Sequence, residues 1–118
     1  MILIVGGFAA GKYTYVVNEL GYDDLQIARS EINDKPVLIN LQNLVKSGTY
    51  DIDDSLIEKL CTKKVITCTE VGSGVVPLDR EERDYREAVG RLCIELAKRA
   101  DKVIRIYCGI PALIKDNK

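Results

Sequence analysis

Histidine is absent from all 118 residues, tryptophan is absent too, and methionine and phenylalanine occur once each, as Met1 and Phe8. Without an imidazole the chain has no Ser–His or Cys–His nucleophile pair, no imidazole metal ligand and no route through a phosphohistidine. An excess of either charge is also missing. Seventeen basic residues face 18 acidic ones, for a net charge of −1, so no global basic field draws in nucleic acid or an acidic membrane. No apolar run approaches membrane-spanning length. The four cysteines, Cys61, Cys68, Cys93 and Cys108, lack CxxC spacing and sit in apolar contexts. They read as small core residues rather than metal ligands, and no metal site is expected.

What is present suits one globular domain over residues 1–118: 47% of residues are apolar and 30% charged, enough for a single core. Met1 opens directly onto an apolar run with no leader pattern, so the expected location is the cytoplasm.

The chain is organised around its opening. Met1-Ile2-Leu3-Ile4-Val5 reads as a buried parallel strand, Gly6-Gly7-Phe8-Ala9-Ala10-Gly11 as a glycine loop, and Tyr13, Val16, Val17 and Leu20 as the face of a helix that Gly21 stops. Strand, glycine loop and helix form the context of a P-loop. Such a loop wraps an anion with backbone N–H groups at a helix start, and Lys12 is placed to reach the outer phosphates. The candidate nucleotide-binding residues are therefore Gly6, Gly7, Phe8, Ala9, Ala10, Gly11, Lys12, Tyr13 and Thr14. One position departs from G-x-x-x-x-G-K-[ST]. Tyr13 stands where a small hydroxyl normally touches Mg²⁺, and Thr14 lies roughly 100° further round the helix. The plainer alternative is a glycine-rich turn with no ligand.

Further along, Leu25–Ala28, Val37–Asn40, Val65–Thr69 and Lys102–Tyr107 read as strands, while Gly109-Ile110-Pro111 breaks the last and leaves a tail. Leu41, Leu44 and Val45 have helical spacing, and a helix Ser55–Leu60 has the apolar set Ile52, Leu56, Ile57 and Leu60. Asp79 opens the longest helix, with Glu82 as its capping-box partner, and Tyr85, Val89, Leu92 and Leu96 form its buried stripe. Glu82–Arg86, Glu87–Arg91 and Glu95–Arg99 have favourable i,i+4 polarity. Asp51–Asp54 reads as an acidic helix start complementing the dipole. Strands alternating with helices imply a mainly parallel sheet of about five strands flanked by helices, a three-layer α/β/α fold of the P-loop NTPase kind. Ligands of such sheets bind at the strands' carboxyl ends, so the loops Gly6–Thr14, Asn40–Asn43 and Glu70–Pro77 should converge.

Glu70-Val71-Gly72-Ser73-Gly74-Val75-Val76-Pro77, then Arg83-Asp84-Tyr85-Arg86-Glu87-Ala88-Val89-Gly90-Arg91-Leu92, resembles the bifunctional adenosylcobinamide kinase / adenosylcobinamide-phosphate guanylyltransferase family of cobalamin biosynthesis. The opening P-loop and the ending Ala100–Val103 and Gly109–Lys115 continue the likeness. The resemblance implies a strand ending at Glu70 beside the P-loop strand, a trimeric homo-oligomer, ATP or GTP as cofactor and a corrinoid small molecule as partner. Carried over residue by residue, the likeness makes Lys12, Glu70, Arg83 and Arg86 the candidate catalytic residues. Arg83 and Arg86 would bind phosphate, or alternatively pair with Glu82 and Glu87.

The departures concern the metal. Tyr13 replaces the P-loop serine or threonine, and Val37-Leu38-Ile39-Asn40 ends in an amide where the family has an aspartate that helps hold Mg²⁺. Cys93-Ile94 replace an asparagine–glutamine pair, and the segment carrying the guanylylated histidine is missing between Ile27 and Pro36. Nucleotide binding is expected to survive on backbone donors and Lys12, with phosphoryl transfer weakened by loss of the metal contacts and histidine-dependent guanylyl transfer lost. Glu70 taking over metal binding or orienting the nucleophile remains open. So do a non-catalytic nucleotide or corrinoid sensor and a structural subunit with a vestigial P-loop.

Overall fold

The computed structural model describes residues 1–29, 31–48, 50–70 and 79–116. Of the loop Glu70–Pro77, only Glu70 lies within them. Strands β1 (Ile2–Gly6), β2 (Ile27–Arg29), β3 (Val37–Ile39), β4 (Val65–Thr69), β5 (Lys102–Tyr107) and β6 (Ile110–Asp116) form one sheet in the order β2-β3-β4-β1-β5-β6. The first five are parallel; β6 runs antiparallel to β5.

Alternation along the strands sorts the core into two layers. Leu3, Leu38, Ile66, Cys68 and Val103 face one side, where they pack against helices α2 (Leu41–Lys46), α3 (Asp54–Cys61) and α4 (Arg80–Arg99). Ile4, Val37, Ile39, Val65, Ile104 and Ile106 face the other, covered by Val16 of helix α1 (Lys12–Asn18). Strands buried on both faces are near-continuous apolar runs, which is why these segments carry few polar residues. The β4 strand lies directly beside β1, with Gly6 level with Thr69. Among the described residues, no helix is long and apolar enough to cross a membrane.

The long helix follows its pattern. Val89, Leu92 and Leu96 are buried and Tyr85 half-buried, and the three i,i+4 pairs form, at 3.6 Å for Glu82–Arg86, 3.9 Å for Glu87–Arg91 and 2.8 Å for Glu95–Arg99. The cap differs in detail. Asp79 Oδ1 accepts from the Glu81 N–H at 2.9 Å, while the Glu82 carboxylate lies against Arg86.

Two expectations are corrected. The sheet has six strands, because the segment after Gly109 is an edge strand rather than a tail. Cys108 (φ 51°) and Gly109 (φ 75°) form the two-residue turn that reverses the chain. Pro111 is tolerated because an edge strand needs no N–H on its outer side. Lys115 secures β6 by donating to the carbonyls of Ala97 and Lys98, both at 2.9 Å, at the end of α4. The second strand also starts later than its apolar letters suggest. Asp24–Gln26 form a short 3₁₀ turn, steadied by Gln26 Oε1 accepting from the Asp23 N–H at 3.1 Å, and Leu25 is 84% exposed. β2 therefore ends at Arg29, whose side chain reaches the cleft described next.

Candidate functional site

The loop between β1 and α1 is shaped by close backbone packing. A Cβ on Gly6 would stand 2.6 Å from the Ile106 carbonyl oxygen of the neighbouring strand, so only glycine fits. Gly11 caps α1 at φ 102°, a conformation strained for any side chain. Between them the Ala10 N–H donates to the Gly7 carbonyl at 3.2 Å, and the Gly109 N–H donates to Ala10 at 2.9 Å. The β5–β6 turn is thus fastened to the loop.

Lys12 is buried and folds back onto this loop, with Nζ donating to the Gly7 carbonyl at 2.7 Å and to that of Gly6 at 3.3 Å. Burial pushes its pKa below the usual lysine value, offset in part by the nearby Cys68 and Glu70 side chains. A cation held by neutral carbonyls under a desolvation penalty is poised for an anion that completes its shell.

Tyr13 turns away from the loop. Its hydroxyl donates to Asp24 Oδ1 at 2.6 Å, and the Arg29 guanidinium lies 5.1 Å from its ring centroid. Arg29 also meets Asp24 at 3.2 Å. Opposite, Asn40 takes a left-handed conformation (φ 61°) at the head of α2, its N–H donating to Thr67 Oγ1 at 3.0 Å. Gln42 Oε1 accepts from the Thr69 N–H at 3.0 Å.

These groups surround a cleft of about 570 Å³. Phe8 to Thr14, Asn40, Gln42 and Asn43 line it, so the first two of the three expected loops converge. Arg29, Thr67 and Thr69 join them, although the sequence reading passed them over. A signal existed for two of them: Arg29 and Thr69 are the last residues of β2 and β4, and ligands of parallel sheets bind at the strands' carboxyl ends. Gly6 and Gly7 are outside the lining and hold Lys12 through their carbonyls.

The other candidates stand outside the lining. Glu70 is engaged by Arg105 through both oxygens, at 2.9 and 3.2 Å, and its N–H donates to Gly6 at 2.8 Å. Its backbone thus ties β4 to the loop, and its charge raises the Lys12 pKa. Arg83 is exposed near the start of α4, and Arg86 is part-buried beside Glu82. Among the described residues, no group of three or more cysteine, aspartate or glutamate side chains is gathered closely enough to hold a metal ion. Among the described residues, the side chains lining the cleft suit an anion: two cations, amides and hydroxyls, with no carboxylate.

A parallel sheet whose first strand runs through a glycine loop and a buried lysine into a helix is a P-loop NTPase-like α/β fold. The family described as cobinamide kinase / cobinamide phosphate guanyltransferase matches residues 37–114, and the chain belongs to that family. The chain is similar to the bifunctional adenosylcobalamin biosynthesis protein CobU of Salmonella typhimurium, with 43% identity over 56 residues. It is similar also to the protein of that name from Escherichia coli K12, with 41% identity over 56 residues. Each alignment takes in 47% of this chain but only 31% of the relative, so the shared stretch spans about a third of each curated protein. The family match begins at residue 37, so the glycine loop rests on its own geometry.

Proposed function

We propose that the chain is a nucleotide-binding module of this family that holds the polyphosphate of ATP or GTP with little dependence on Mg²⁺, and that phosphoryl transfer is weak or absent. The observation that carries the reading is the buried Lys12, folded onto its own loop beside a cleft that, among the described residues, presents cations and amides but no carboxylate. The residues fit the phosphates. They do not fit the metal: Tyr13 is committed to Asp24, Asn40 offers an uncharged amide, and Mg²⁺ usually joins such sites through one or two anionic protein oxygens. Lys12 and the loop N–H groups bind and orient the anion; Glu70, held by Arg105, keeps the loop in place.

The relatives' printed description makes a corrinoid of the cobinamide class the candidate second ligand. Histidine-dependent guanylyl transfer would find no acceptor in these 118 residues, which contain no histidine. A second reading, a structural subunit of a homo-oligomer such as a trimer, draws on Tyr107, Ile110, Leu113 and Ile114, all exposed at the β5–β6 edge.

Calorimetric titration of ATP and of GTP, each with Mg²⁺ and with chelator, tests the main reading. Binding that survives chelation and disappears in Lys12→Ala is the expected result. Binding that requires Mg²⁺ would overturn it and point to Thr14 or Glu70 as the metal's holder.

A further inference from the structure

We propose that Arg29 is the second phosphate-binding cation of the cleft, meeting the ligand's oxyanion together with Lys12 and supplying the positive charge that a divalent metal would otherwise bring. The inference rests on the nucleotide-binding reading above and names the residue that makes it metal-independent.

Lys12 and Arg29 are the only charged side chains lining the cleft among the described residues. Lys12 is buried; Arg29 enters from the far end of the sheet, as the last residue of the edge strand β2. An arginine offers five N–H donors in a planar fork that matches phosphate oxygens two at a time. Here one terminal nitrogen meets Asp24 Oδ1 at 3.2 Å, and that same oxygen also accepts from the Tyr13 hydroxyl at 2.6 Å. The Arg29 and Asp24 side chains are 56% and 73% exposed, and an ion pair so open to water is weak. A polyphosphate carries more charge than one carboxylate and draws the fork away from it.

This arrangement also gives Tyr13 a role. A serine or threonine at that position would touch a metal and leave the guanidinium unsupported. The phenol ring lies 5.1 Å from the guanidinium carbon, a cation–π seat that holds Arg29 against the cleft wall. Tyr13 thus exchanges a metal contact for a platform under a permanent organic cation. Asp24 holds the pair in its resting position while no anion is bound.

The roles predict changes of opposite sign. Inorganic tripolyphosphate and ATP are titrated into the full chain in chelator. Arg29→Gln should weaken both about tenfold or more, the range for hydrogen bonds to charged groups, and Arg29→Lys should recover part of the loss. Asp24→Asn should tighten binding severalfold by releasing the fork. In the Arg29→Gln background the same Asp24→Asn change should do little, because its effect passes through Arg29. Urea midpoints should move little in all of these, since both side chains are exposed. Arg29→Gln binding as tightly as the wild type, while Lys12→Ala loses affinity, would overturn the inference and leave the nucleotide-binding reading intact. Asp24→Asn tightening binding equally with and without Arg29 would reduce Asp24 to a bare charge effect and overturn it too. No binding of tripolyphosphate or ATP by the wild type would overturn both readings.

Discussion

The Gly109 N–H donates to the Ala10 carbonyl at 2.9 Å, so the turn that begins the edge strand also fixes the middle of the glycine loop. Gly11 packs against the same residue: a Cβ on Gly11 would lie 3.3 Å from the Gly109 Cα. The β5–β6 hairpin is part of the site's scaffold.

Gly109→Ala tests that coupling. Among the described residues, chain neighbours aside, no atom lies within 4 Å of the added Cβ, but φ is +75°. The cost is backbone strain alone, about 1–2 kcal/mol, read as a lower urea midpoint. Nucleotide affinity should fall with it, because the turn holds the Ala10 carbonyl. A variant as stable as the wild type would show that the turn relaxes freely.

Lys12 gives a pH dependence of definite sign. Burial lowers its pKa in the folded chain below 10.5, so between the lowered value and 10.5 the unfolded chain binds more protons. Stability from this group therefore rises with pH through that window and is least below it. Lys12→Met should flatten the rise in denaturation measured from neutral to alkaline pH. Phosphate binding should run the other way, weakening as Lys12 loses its proton. A wild-type stability that falls across the window with no change in Lys12→Met would contradict the assignment.

The metal can be invited back. Tyr13→Ser with Asn40→Asp restores a hydroxyl and a carboxylate, and nucleotide binding should become Mg²⁺-dependent. Aspartate is among the residues that tolerate the left-handed backbone of position 40. In chelator the double variant should bind more weakly than wild type, because Arg29 loses its ring and a carboxylate faces the phosphates. Asn40→Asp alone should also weaken metal-free binding. Titrations with and without Mg²⁺ check all three; a double variant indifferent to Mg²⁺ would mean that the oxygens do not reach a common point.

Arg83→Ala should weaken nucleotide or substrate binding while leaving the melting temperature nearly unchanged. Arg83 is exposed, and surface substitutions usually move stability by less than about 0.5 kcal/mol. Unfolding without loss of affinity would assign it a purely structural role.

The parallel sheet was legible because each buried strand is a short apolar run, and α4 because Tyr85, Val89, Leu92 and Leu96 recur at helical spacing. The loop Gly6–Lys12 was legible because its glycines and lysine stand at fixed spacing between a strand and a helix, although the need for glycine at position 6 comes from the distant Ile106 carbonyl. The second strand was begun two residues early and ended one residue short, since Leu25 has the composition of a strand but stands almost bare on a 3₁₀ turn. That shift hid Arg29. The sixth strand was missed although Cys108-Gly109 between apolar runs is a hairpin signal; Pro111 masked it, and an edge strand can carry a proline.

The sequence by itself determined the alternating α/β order, the glycine loop with its lysine, the loss of a small hydroxyl at Tyr13 and the absence of any histidine chemistry. These are properties of single positions or of neighbours within a turn or two. Only the tertiary structure decided what the altered residues do instead. Tyr13 meets Asp24 11 positions on, Asn40 meets Thr67 27 positions on, and Glu70 meets Arg105 35 positions on. Such pairs form because the sheet order β2-β3-β4-β1-β5-β6 sets segments far apart in the chain side by side. Local periodicity holds no record of which side chains will meet there.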